Sequence, residues 1–365
     1  MMKKHKRIVV KVGTKVITSK DRTLDEEKVR DIASQISLIM DNGIEVIVVT
    51  SGAIGAGMSL LNIKKRPTDL ASLQATAAIG QNYLMHLYSE YFKAGKYNVG
   101  QILLTQEDFN DRKRYLNIKN TINTLLEYKA IPIINENDTV ATEEIRCGDN
   151  DRLSSLVADL CGADMLIMLS DVDGLLDERG DVVKFVHDIG PEILKLGGKS
   201  HCDLGTGGMA TKIDAASIVT KAGIDCVIAN GKEKDVLCRI AIGLENIGTA
   251  FKSKKEKLIA KKRWIAFSSK PKGTIRIDDG AKEALRKKNK SLLASGILSV
   301  EGDFNAGDVV SILGDDLNEI ARGLANYSSE DIVRIKGQKT GKFKSILGAS
   351  YNRDEVIHKD NLVIL

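Results

Sequence analysis

The sequence predicts an α/β protein: a mainly parallel sheet covered by helices on both faces, a three-layer αβα sandwich, followed by a small, mostly β domain. Three observations predict it. Through roughly the first 250 residues, short β-branched runs alternate with amphipathic stretches of helical period. Those runs are apolar at successive positions rather than at every second one, as strands buried on both faces are. After Phe251 the pattern changes to short strand-like pieces separated by Gly, Asp and Asn.

Taken in order, Ile8–Val12 reads as the first strand. Asp25–Met40 reads as a helix, with Val29, Ile32, Ala33, Ile36 and Ile39 on one face. Ile44–Val49 is the second strand, Asp69–Ala94 a helix, Val99–Leu104 the third strand, and Tyr115–Tyr128 a helix. Ile131–Ile134 is the fourth strand. Leu153, Leu156, Val157 and Leu160 carry the i, i+3, i+4, i+7 stripe of the next helix. Met165–Leu169 is a strand, Met209–Ala222 a helix and Cys226–Ala229 a strand. Beyond a charged connector, strands are expected at Gly273–Ile277, Gly296–Val300, Val309–Leu313, Glu319–Leu324 and Ile332–Ile335, with one helix near Asp279–Lys288. The expected domains are residues 1–250, a basic linker 251–270, and 271–365.

Composition narrows the function classes. With 43% hydrophobic and 28% charged residues, the chain can build a substantial core and is not of disordered composition. No run approaches the ~20 apolar residues of a membrane span, and the N-terminal MMKKHKRIVVKVGTK lacks the apolar region of a secretory leader. The five cysteines are odd in number and form no CxxC pair, so reduced thiols in a cytoplasm are expected rather than disulfides or zinc. Residues 251–290 hold fifteen Lys/Arg against four Asp/Glu, which leaves the rest of a +5 chain mildly acidic. That basic segment suits either a solvated linker or weak, non-specific RNA contact. The linker is the better reading, because few aromatics interleave for base stacking.

In an open parallel sheet, ligands bind at the carboxyl ends of the strands, and there the unusual residues collect. Lys11 sits inside an apolar strand, where it needs an anion unless it lies on an edge, and Gly13-Thr14 follow it. Ser51-Gly52-Ala53-Ile54-Gly55-Ala56-Gly57 is a strand-to-helix turn that suits an anion cradle or close helix packing. Gly205-Thr206-Gly207-Gly208-Met209-Ala210-Thr211-Lys212 fits GxGxxA, but no apolar strand precedes it. A glycine nest opening a helix, with Lys212 aimed at the same anion, is the better reading. The fourth strand runs into Asn135, Asn137 and Asp138, and Asp149-Asn150-Asp151 precedes the next helix. Helix capping explains one of these residues but not two runs. Amides and carboxylates at a strand end suit a small polar ligand bearing an ammonium group. The five histidines make no ligand-spaced pair, and no Ser-His-Asp or Cys-His set is evident.

The segments IVVKVGTKVIT (8–18), VVTSGAIGAG (48–57), IPIINENDTVAT (131–142), RCGDNDRLSSLVA (146–158), LSDVDGL (169–175) and GTGGMATKIDAA (205–216) together resemble the amino acid kinase family. The tail resembles the PUA domain appended to many of its members. INENDTVAT with GDNDRLS is specific to members acting on free glutamate. The resemblance implies transfer of a phosphoryl group from ATP, with Mg2+, to the γ-carboxylate of L-glutamate. It implies catalytic roles for Lys11 and Lys212, and substrate binding by Ser51, Gly52, Asn135, Asp138, Asp149 and Asn150. ATP binding falls to Lys11, Gly13, Ser170, Asp171 and the stretch Thr206, Gly207, Gly208, Met209, Ala210, Thr211 and Lys212. It also implies proline as an inhibitor and a homo-oligomer, dimer or tetramer. One departure is that no aromatic follows Gly174-Leu175, which bears on adenine contact. Another acyl-phosphate kinase of this fold, acting on N-acetylglutamate, carbamate or aspartate, is the competing reading within enzymes.

Overall fold

A computed structural model describes residues 5–19, 23–141, 150–198, 208–243, 247–253, 260–288 and 290–365. The chain forms two compact units, Met1–Lys257 and Leu258–Leu365.

The first unit is built on an eight-stranded sheet of order β3-β4-β2-β1-β5-β7-β8-β6. Its strands are β1 (Arg7–Val12), β2 (Glu45–Val49), β3 (Val99–Leu104), β4 (Ile131–Glu136), β5 (Met165–Ser170), β6 (Phe185–Val186), β7 (Asp225–Asn230) and β8 (Thr249–Phe251). β1 runs parallel to both β2 and β5; β2–β4, β3–β4, β5–β7 and β6–β8 are also parallel, and only β7–β8 is antiparallel. The mainly parallel sheet therefore agrees with the sequence expectation. The short strands β6 and β8 add an edge that the sequence did not announce, because two- and three-residue pieces carry no periodicity.

The helices are α1 (Glu26–Asp41), α2 (Ala53–Leu60), α3 (Leu70–Ala94), α4 (Gln106–Asn110), α5 (Arg112–Glu127), α6 (Asp151–Cys161), α7 (Pro191–Leu196), α8 (Met209–Lys221) and α9 (Val236–Ala241). Asp25 caps α1 by accepting the Lys28 N–H, and Asp69 caps α3 by accepting the Ser72 N–H. One face of the sheet, carrying Ile8, Val10, Val12, Val46, Val48 and Ile167, packs with Ile32, Ile36 and Tyr88 from α1 and α3. The thiols of Cys161 and Cys226 are buried, and burial pushes that of Cys161 up to about 12.

Strand order reverses at β1: the chain moves to β2 on one side and reaches β5 and β7 on the other. Such a reversal opens a crevice at the carboxyl ends of the flanking strands. Residues following β1, β2, β4 and β5 converge there.

The glycines after β2 have two separate causes. Gly52 has φ +97°, a backbone state that side chains disfavour. Gly55 and Gly57 lie inside α2, where closeness to α3 accounts for Gly57: a Cβ there would stand 2.0 Å from Thr76 O. A Cβ on Gly80 of α3 would stand 1.8 Å from Ala53 O. Gly80→Ala is therefore expected to destabilise by more than the ~1–3 kcal/mol of ordinary overpacking, because the obstacle is backbone. Urea unfolding reads this as a lower midpoint at unchanged slope, and a wild-type midpoint would contradict it.

The second unit holds a five-stranded sheet of order β10-β9-β11-β12-β13. Its strands are β9 (Gly273–Ile277), β10 (Ile297–Glu301), β11 (Val309–Leu313), β12 (Glu319–Leu324) and β13 (Leu362–Ile364). Ile275, Ile277, Phe304, Val310, Ile312, Tyr327 and Phe343 are among its core residues. Residues Ala260–Arg263 are helical and belong to this unit, and Trp264 and Ile265 just after them are buried. Ile332–Ile335, expected as a strand, lies instead in the helix Ser329–Ile335. Ser328 caps it by accepting the Asp331 N–H, Ile332 and Ile335 are buried, and Val333 is exposed. A capping serine and a three-residue spacing outweigh the β-branched composition.

Candidate active site

Lys11 occupies the centre of the sheet. Side chains alternate along a strand, so with Val10 and Val12 in the core on one face, Lys11 projects to the other. It is 1% exposed, and its Nζ lies 2.7 Å from Oδ1 of Asp151. Asp151 is the first residue of α6, also 1% exposed, where the helix N-terminus favours a carboxylate. Its other oxygen, Oδ2, accepts from Lys212 Nζ at 3.1 Å and from Thr211 Oγ1 at 2.8 Å. Lys212 lies in the first turn of α8 and is 4% exposed.

One buried carboxylate thus aligns two buried lysines that lie 201 residues apart in the sequence. The trio carries one excess positive charge, an arrangement that is costly alone and suited to receiving an anion. α8 begins at Met209 with Gly208 as its N-cap, so the N–H groups of Met209, Ala210 and Thr211 form its first turn beside Lys212.

A second cluster is made of amides. Asn150 Nδ2 donates to Asn135 Oδ1 at 2.7 Å and to the carbonyl of Thr50. Asn135 Nδ2 donates to Gln81 Oε1 of α3 at 2.7 Å. The two polar runs of the sequence therefore meet through Asn135 and Asn150, with the end of β2 between them. Ser51 Oγ is buried there and, among the described residues, has no hydrogen-bond partner. Asn137 is engaged by its surroundings: its N–H donates to Leu104 O at the end of β3 at 2.8 Å, and its Oδ1 accepts from Thr139 Oγ1 at 2.6 Å.

Asp138 follows β4 and is half-buried. Burial pushes its carboxyl up to about 6, against the pull of Arg66. Among the described residues, no hydrogen bond or ion pair joins it to Ser51, Asn135 or Asn150.

On the β5 side, the Gly13 N–H donates to Leu169 O at 3.1 Å and ties the ends of β1 and β5 together. Ser170 is buried, and its hydroxyl donates to Asp171 Oδ1 at 3.3 Å. Lys15 Nζ lies 3.0 Å from Asp171 Oδ2. Burial raises the Asp171 pKa, but the Lys15 hydrogen bond and charge, with its own N–H and Ser170, outweigh it and hold the group below its usual value. Asp149, Thr206 and Gly207 lie outside the described residues.

The sequence places Asp151 in the polar run at the site but gives it no role of its own, and it gives no sign of Gln81 or Lys15 as parts of this neighbourhood. Gln81 has no local signal, since it is one polar residue in a 25-residue helix. Among the described residues, no group of three or more His, Cys, Asp or Glu could hold a metal ion.

Residues 6–230 match the amino acid kinase family, and residues 273–347 match the PUA domain. The chain is 49% identical to the glutamate 5-kinase of Caldanaerobacter subterraneus subsp. tengcongensis, over 98% of each chain. It is 45% identical to that of Dictyoglomus thermophilum and 43% identical to that of Geobacter sulfurreducens, over 100% of this chain and 99% of each relative. With this likeness running end to end, and with a buried strand lysine and a buried helix lysine sharing one carboxylate at the sheet's carboxyl edge, the chain belongs to the amino acid kinase family and carries a C-terminal PUA domain.

Proposed function

We propose that the chain transfers the γ-phosphoryl group of ATP to the γ-carboxylate of L-glutamate, giving L-glutamyl 5-phosphate, the first step of proline synthesis. The observation that carries this reading is the Lys11–Asp151–Lys212 trio, 2.7 and 3.1 Å across, at the carboxyl edge of the sheet. The end-to-end likeness to glutamate 5-kinases selects the acceptor.

The chemistry fits the side chains. A γ-carboxylate, with a pKa of about 4.3, is already ionised at neutral pH, so the nucleophile needs no general base. The obstacle is the approach of two anions: unit charges ~4 Å apart repel by roughly 4 kcal/mol at an effective dielectric of about 20. Uncompensated, that is about a thousandfold in rate. Lys11 and Lys212 offset it and stabilise the charge on the transferring group, and the first-turn N–H groups of α8 hold donor phosphates. Asp151 holds both ammonium groups in place before substrate arrives. Mg2+ brought in with ATP would supply further charge neutralisation at the phosphates, beside Lys11 and Lys212.

Asn135, Asn150, Ser51 and the Gly52 turn orient the acceptor, and Asp138 pairs with its α-ammonium. From this follows a pH dependence. Asp138 must be ionised to receive the ammonium, and its carboxyl sits at about 6. The ammonium and γ-carboxylate of glutamate do not titrate between about pH 5.5 and 8. Therefore kcat/KM for L-glutamate should fall as pH drops through about 6, while KM for ATP should not follow. Asp138→Ala should raise KM for glutamate and remove this limb. An unchanged KM in that variant would take Asp138 out of the site.

The reading is tested by trapping the acyl phosphate as a hydroxamate, with ATP-Mg and each candidate acid in turn. Product from L-glutamate supports it. Product only from N-acetylglutamate, carbamate or aspartate overturns it. Proline shares an ammonium and an α-carboxylate with glutamate, and we propose it as an inhibitor competing for the acceptor pocket, in a homo-oligomer (dimer or tetramer) working in the cytoplasm. Among the described residues, no helix is long and apolar enough to cross a membrane.

A further inference from the structure

We propose that Gln81 is an acceptor-binding residue: its Nε2 donates a hydrogen bond to the α-carboxylate of the bound amino acid while its Oε1 holds Asn135 in place. This rests on the proposed acceptor and deepens it.

The inference starts from the polarity of the amide chain. Thr50 O is a carbonyl and can only accept, so the atom of Asn150 facing it is Nδ2. That same Nδ2 faces Asn135, whose facing atom must then be Oδ1. Asn135 Nδ2 is thereby turned to Gln81, which must present Oε1. Each amide fixes the next, and the orientation of Gln81 is decided by a backbone carbonyl three links away. The chain ends in Gln81 Nε2, a buried donor with no partner among the described residues, on a residue only 9% exposed. Unpartnered buried donors are rare because each forfeits its hydration.

Placement makes that donor a ligand group. Gly80, the neighbour of Gln81 in α3, packs closely on the carbonyl oxygen of Ala53, the residue after the Ser51–Gly52 turn. Two helical turns further along the same face of α3, Tyr88 OH is bonded to Thr50 Oγ1 at 2.9 Å. The face of α3 bearing Gln81 and Tyr88 therefore looks onto Thr50–Gly52. Ser51 Oγ, also buried and without a partner among the described residues, lies in the same turn. Two such donors, one in the turn and one on the helix face that reaches Thr50, suit a carboxylate, which accepts several hydrogen bonds and offers none.

The direction of the chain says which carboxylate. Asn150 adjoins Asp151, whose oxygens hold Lys11 and Lys212. Gln81 is at the opposite end of the relay, away from the lysines that meet the phosphoryl group. It faces the α end of the amino acid, not the reacting γ end.

The test uses the full-length protein and two variants. Gln81→Glu keeps an oxygen for Asn135 and replaces the free donor with a carboxylate. Gln81→Met keeps the size and removes both functions. KM for L-glutamate should rise at least tenfold in each, with KM for ATP within twofold of wild type and unfolding midpoints near wild type. A purely structural Gln81 predicts a different pattern, in which Gln81→Glu binds glutamate like wild type and only Gln81→Met is impaired. That pattern, or wild-type KM values in both, overturns the proposal. Should Gln81→Glu fold poorly, Gln81→Met still tests the proposal, because a wild-type KM for L-glutamate in that variant overturns it. The wild type is assayed alongside: no hydroxamate from L-glutamate there would mean the acceptor assignment has failed, which is distinguishable from failure of Gln81's role.

Discussion

Asp151→Asn is expected to lower kcat by at least about a hundredfold and to destabilise the fold by about 3–5 kcal/mol, the cost of leaving buried charge unpaired. Both effects come from one change of a single oxygen to an amide. In the wild type, Oδ1 and Oδ2 face Lys11 and Lys212 at 2.7 and 3.1 Å, with Thr211 donating to the second. An asparagine can present an oxygen to only one lysine and must aim N–H groups at the other. Two buried ammonium groups would then lose the full negative charge that they share in the wild type, and their positions before substrate binding would be lost. Steady-state kinetics should show the loss in kcat, with KM for glutamate changing far less, because the amide cluster is made by other side chains. Urea unfolding should show the stability loss. A kcat within tenfold of wild type would mean that Asp151 does not position the lysines.

Lys11→Ala and Lys212→Ala are each expected to reduce kcat by roughly 10²–10³, the effect of removing one preorganised donor from a developing anion. The double variant should fall by much less than the product of the two, because groups acting as a unit lose their joint effect with the first deletion. Stability should separate these variants from Asp151→Asn. Removing one lysine leaves Asp151 paired with the other, so the remaining charges still balance. The unfolding midpoint should drop less than in the aspartate variant. Near-normal turnover in both single variants would remove the phosphoryl-transfer assignment from this site.

Much of the fold was legible in the sequence because burial on both faces leaves a plain signature. Val99–Leu104, Gly273–Ile277, Val309–Leu313 and Glu319–Leu324 appear in the structure with the bounds that their composition suggests. The failures have local reasons. β6 and β8 are too short to show a period, and Ile332–Ile335 carries strand-like residues on a helix-capping frame. Part of the glycine richness after β2 serves the closeness of α2 and α3 rather than a ligand, a distinction that only the position of Thr76 could make.

By itself, the sequence determined that a parallel sheet ends in lysines, glycines, amides and carboxylates, and its motifs named the family. Chain order alone cannot say which of these meet. Lys11 and Lys212 lie 201 residues apart, and what joins them is the last member of a polar run to which the sequence assigns no individual role. The tertiary structure decided that Asp151 is the shared counter-ion and that Gln81 closes the amide relay. The physical reason is that a buried charge or donor must find its complement within about 3 Å, and only the crossing of β1, β4, α3, α6 and α8 at one sheet edge determines which groups come that close.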